Sequence, residues 1–129
     1  MKNALLLILV TMAVVACRKE INQEEVVANA AKQYYTYLLQ GNYDAFVDGC
    51  WQDDSVRPSY RAELIDNAKM FISQQKTEHK GIRSVEVVSA QVDTATHSAH
   101  VFLNLHYGDE NSEKILLPMV MKGDLWYMK

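Results

Sequence analysis

Residues 98–107, SAHVFLNLHY, and residues 113–122, EKILLPMVMK, decide the architecture of this chain. In the first stretch Val101, Leu103 and Leu105 alternate with His100, Phe102, Asn104 and His106. In the second, Ile115, Leu117, Met119 and Met121 alternate with Leu116, Pro118 and Val120. A period of two sends successive side chains to opposite faces of a pleated sheet, so both stretches are predicted strands. The odd-numbered set is the more apolar and is expected to face the core. Only a short polar turn around Gly108-Asp109-Glu110-Asn111 separates the strands, which makes them antiparallel neighbours.

The pattern extends to both sides. Ile82 to Asp93 and Leu125 to Lys129 also read as strands, bounded by turns at Thr94-Ala95-Thr96 and Gly123-Asp124. Pro118 lacks a backbone donor, so a bulge or an unpaired position is expected there. Before Gly81 the period is helical. Val27, Ala31, Tyr34 and Leu38 recur every three to four residues over Glu24 to Gln40, and Gly41 supplies a stop. Asn42 can cap a second, shorter helix with Tyr43, Phe46, Val47, Cys50 and Trp51 on its apolar side. Gln52 to Ser59 has no period and forms a connection, in which Asp53 and Asp54 read as a solvated turn rather than metal ligands. A third helix from about Tyr60 to about Glu78 carries Leu64, Ala68, Phe71 and Ile72 on one side. Three N-terminal helices packed on a curved four-stranded antiparallel sheet make an α+β domain.

Residues 30–46, AAKQYYTYLLQGNYDAF, read as a helix, a Gly-polar-aromatic turn and a second helix, and residues 123–128, GDLWYM, as a closing turn and Trp-bearing strand. Together they resemble the nuclear-transport-factor-two-like or cystatin-like cone, and specifically the small domains of that fold found in bacterial lipoproteins. The resemblance covers most of the chain after residue 17, and its motifs are structural. It implies a cone-shaped domain and no settled reaction, although some members of the superfamily are isomerases, dehydratases or cyclases that use a pocket carboxylate with a Tyr or His partner.

The N-terminal residues give an address. Lys2 precedes the aliphatic run Ala4 to Val10, and no further charge appears before Arg18, which is the layout of a secretory signal. Asn3 to Ala16 is too short for a permanent span, which needs roughly 20 residues. Val14-Val15-Ala16-Cys17 resembles the bacterial lipobox, in which the Cys is linked to diacylglycerol and becomes the first residue. The expected organisation is a signal peptide at residues 1–16, a lipidated Cys17 with a tether to residue 25, and one domain over residues 26–129. The expected site is the bacterial cell envelope, lipid-anchored, at the outer membrane. Membrane contact then comes through the lipid on Cys17, and acyl chains contribute about 0.8 kcal/mol per buried CH₂.

Removing Lys2 with the signal takes the formal net charge from −3 to −4. With no cluster of basic residues interleaved with aromatics, nucleic-acid binding is not expected. Lipidation consumes one of two cysteines, so no internal disulfide forms and Cys50 is expected as a buried free thiol. His100 and His106 share a strand face but stand roughly 20 Å apart at about 3.3 Å per residue, too far to share a metal ion. The predicted interior lacks a strand carboxylate, and Asp48 and Asp66 fall in helices where exposure is the commoner fate. Of the three neighbouring tyrosines, Tyr34 fits the core stripe, leaving Tyr35 or Tyr37 at the cone mouth or in solvent.

No catalytic residue, metal ligand or cofactor is assigned. Phe102, Leu116 and Val120 make the second sheet face unusually apolar and are the candidate partner face, for a homodimer or another protein. The sequence thus reads as a lipid-anchored, non-catalytic domain that binds a small apolar ligand in the cone or assembles through that face. The alternative is a small pocket enzyme of the isomerase or hydratase kind.

Overall fold

The computed structural model describes residues 21–129. The expected signal peptide, Cys17 and the first part of the expected tether lie outside them. Three helices come first: α1 (Gln23–Leu39), α2 (Tyr43–Asp48) and α3 (Tyr60–His79). Four strands follow: β1 (Ile82–Asp93), β2 (Ser98–Tyr107), β3 (Ser112–Lys122) and β4 (Leu125–Met128). They form one antiparallel sheet in the order β1-β2-β3-β4. Among the described residues no helix is long and apolar enough to cross a membrane.

Helix α1 starts where Asn22 accepts a hydrogen bond from the Glu24 N–H at 3.0 Å, which satisfies one of the free donors of the first turn. The helix therefore reaches three residues into the segment read as tether. It ends at Gly41, whose φ of +75° is costly for any residue with a Cβ. Asn42 then caps α2 by accepting from Ala45 N–H.

The odd-numbered residues of β2 and β3 face the helices as expected. Val101, Leu103, Leu105 and Met119 are almost fully buried, and Val27 and Ala31 of α1 pack against the sheet with them. Trp126 and Met128 from β4 complete this core. Each such aliphatic side chain contributes about 1.5–3 kcal/mol by leaving water.

Two expectations fail on physical grounds. Pro118 causes no bulge: β2 and β3 pair without a shift, with His100 opposite Pro118. The Pro118 carbonyl accepts from Lys129 N–H at 3.0 Å, so the ring nitrogen also points toward the β4 side, where β4 ends, and the β2–β3 ladder loses nothing. The register shifts fall in β1 instead, between Ile82 and Ser84 and between Val87 and Ser89. The second correction concerns Cys50 and Trp51, which do not continue the helical stripe of α2. The helix stops at Asp48 because the free edge of β4 offers better hydrogen bonds. Met128 N–H donates to the Gly49 carbonyl and Trp51 N–H to the Met128 carbonyl, both at 2.7 Å, and Cys50 bridges Met128 in parallel. Gly49 permits the approach: a Cβ there would collide with the Tyr34 ring.

Candidate functional site

Helix α3 is held differently from α1. Of its twenty residues only Ala68 is buried. Its first turn is tied to α2 by Arg61, which donates to the Asp48 carboxylate at 2.6 Å and to Asp44 at 3.4 Å. Its last residue, His79, donates through Nδ1 to the Asp109 carboxylate at 3.0 Å and stacks on Tyr107 with ring centroids 4.2 Å apart. This places Asp48 in an exposed ion pair, and Asp66 is exposed as well.

Between these two clips a half-open cleft of about 240 Å³ separates α3 from α1 and α2. Leu38, Phe46, Val47, Leu64, Ala68 and Phe71 give it apolar walls. Tyr35, Cys50 and the exposed Asn67 are the remaining residues of its lining. Tyr35 packs edge-on against Phe46 at 5.9 Å, and burial pushes its phenol up to about 12. Cys50 donates weakly to the Phe46 carbonyl at 3.7 Å, and burial pushes its thiol up as well. An attacking cysteine needs the reverse, a thiolate favoured by nearby positive charge. Cys50 is thus a half-buried free thiol.

Tyr34 packs against the core as expected, and Tyr35 lies deeper than expected. Tyr35, read as a candidate for the cone mouth, lines the cleft, while Tyr34 closes α1 onto β4 by donating its hydroxyl to the Trp126 carbonyl. A second cleft of about 200 Å³ lies at the start of α1, between Gln23, the β1–β2 turn and Trp126.

At the far end of the sheet the fold brings together groups the sequence keeps apart. His79 and Asp109 are joined there, and the Tyr107 hydroxyl donates to Glu113 at 2.6 Å. Burial, followed by that hydrogen bond, pushes Tyr107 up to about 12. The hydrogen bond from His79 holds Asp109 below the usual carboxylate range. These pairs went unpredicted because thirty positions separate His79 from Asp109 and no local motif marks them. Among the described residues, no three of His, Cys, Asp and Glu come together as a metal site.

The candidate partner face is where the register puts it. Phe102 stands opposite Leu116, and Val120 opposite Tyr127, on the side of the sheet away from α1. Leu116 is half exposed, and the Lys114 ammonium sits 4.9 Å from the Phe102 ring centroid.

No family model matches the sequence, and no curated protein does. Several solved structures match in shape. One is a Campylobacter jejuni protein whose proposed identity is an NTF2-like transpeptidase, matched at TM-score 0.64 and 10% identity over 78% of this chain and 94% of its own. At that identity the likeness concerns fold alone. The class is therefore defined: the chain is an α+β domain with the NTF2-like fold, three helices on an open four-stranded antiparallel sheet.

Proposed function

We propose that this is the folded domain of a lipid-anchored envelope protein and that it binds a small, mainly apolar ligand in the cleft under α3. The observation that carries the binding reading is the cleft of about 240 Å³, whose lining is apolar except for Tyr35, Cys50 and Asn67. Apolar concave walls with a few convergent polar groups are the usual form of a small-molecule site. That lining favours binding over the isomerase or hydratase alternative, because burial pushes the two titratable groups it holds, Tyr35 and Cys50, toward their protonated forms and away from service as a general base. Filling the cleft tests this reading. The full chain should enhance the fluorescence of N-phenyl-1-naphthylamine, and Ala68→Phe should abolish the enhancement while leaving the circular dichroism spectrum intact. Equal enhancement in the variant would sink it.

The anchoring part rests on Lys2, the uncharged run and Val14-Val15-Ala16-Cys17. Cys17→Ala should abolish incorporation of radioactive fatty acid and leave an uncleaved precursor, whereas unchanged labelling would contradict the anchor. A second reading, docking through Phe102, Leu116 and Val120, is favoured by the in-register pair of half-buried Phe102 and exposed Leu116.

A further inference from the structure

We propose that the outward face of the sheet around Trp51, Tyr127 and Lys122 lies against the anionic bilayer that carries the lipid on Cys17, an inference resting on the lipid-anchored reading.

The face is built by the departure of the chain from α2. By pairing beside β4, the Gly49–Trp51 segment leaves Cys50 at the cleft and delivers the Trp51 ring to the other side of the sheet, where it tilts against Tyr127 at 5.4 Å. Trp51 remains 43% exposed, and the Lys122 ammonium lies 5.3 Å from its ring centroid. Further along the same face Lys114 covers Phe102, next to the exposed Leu116. Tryptophan and tyrosine beside lysine is the composition that settles at a membrane–water interface, with rings at the headgroup level and ammonium groups reaching the phosphates.

Charge selects the partner. The outward positions of β2, β3 and β4 hold Lys114, Lys122, His100 and His106 and no carboxylate, although the whole chain carries a net charge of −3. The outward carboxylates sit on β1, where Glu86 is engaged by His106 and Asp93 accepts from the N–H groups of its own turn. Asp53, Asp54 and Asp124 lie in the flanking loops. A second copy docked here would bring lysines toward lysines, whereas anionic headgroups supply the opposite charge. Each lysine near such a surface strengthens binding roughly fivefold.

Reach is sufficient. Six residues from Cys17 to Gln23 span roughly 20 Å at full extension, against about 10 Å for the thickness of one packed layer. The start of α1 is also bound to β4, since the Trp126 indole donates to Gln23 at 3.3 Å. The tether thus begins beside the strand that carries Tyr127.

The test uses the full lipidated chain in vesicles of phosphatidylcholine with phosphatidylglycerol, one lipid brominated in its acyl chains. Trp51 emission should fall roughly twofold on bromination, as for a ring seated at the interface. The quenched component should vanish in Trp51→Phe, and Lys114→Glu with Lys122→Glu should abolish quenching while the protein still floats with the vesicles. A floating protein whose Trp51 is not quenched overturns the bilayer face and leaves the anchor standing, as does a dimer cross-linked through Trp51. A chain that does not float overturns the anchor and this inference with it.

Discussion

Helices α1 and α3 have similar lengths and opposite relationships to the rest of the molecule. Helix α1 buries Val27, Ala31 and Leu38 and lies across the sheet, with Tyr34 and Gln23 fastening it to β4. Helix α3 buries one alanine and is held by polar clips at its two ends. The difference separates scaffold from candidate site. Close packing leaves no space for a ligand, so the room lies where the packing is loose, and the clips keep α3 in position over it.

The largest expected effect breaks the comparison if it fails. Leu103→Ala removes a fully buried side chain from the core and should cost about 2–5 kcal/mol. Leu64→Ala, on the cleft wall of α3, should cost about 1 kcal/mol, because its surroundings are half open. Urea denaturation of both variants checks this, and equal losses would show that α3 is as tightly integrated as the core.

The sequence made most of the architecture readable because the period switches cleanly from helical to alternating at Gly81, and because Gly41 and Asn42 mark their own boundaries. It misled where a tertiary partner outbid local preference. Cys50 and Trp51 continue the spacing of Phe46 and Val47, yet the open edge of β4 takes them. Pro118 looked disruptive only because the register that sets it beside the end of β4 was not visible in the sequence. The face of Phe102, Leu116 and Val120 was readable because it follows from alternation alone. The cleft was not, since its wall is assembled from three helices, and Tyr35 could be assigned only once their angles were known.

A smaller effect sharpens the account of Tyr35. Its phenol is pushed up to about 12 by burial, whereas an unfolded tyrosine ionises near 10.0. The folded state therefore holds the proton more tightly. The corresponding stability is fully present below pH 10 and is lost as pH rises through about 12, by on the order of 2 kcal/mol. Denaturation midpoints followed across this window should fall less steeply in Tyr35→Phe than in wild type. Parallel slopes would mean that Tyr35 is solvated and that the cleft is wider than described.

The central claim, that the cleft under α3 is a ligand site, has a reporter built into its wall. On the lipid-anchored reading, acylation of Cys17 would leave Cys50 as the one free thiol, and Cys50 lines the cleft. Its rate of alkylation by iodoacetamide, measured on the native protein with and without N-phenyl-1-naphthylamine, tests the claim directly. At a probe concentration ten times its dissociation constant, the rate should fall roughly tenfold, in proportion to the fraction of empty sites. A rate that does not change when the probe is fully bound would place the ligand elsewhere and contradict the account.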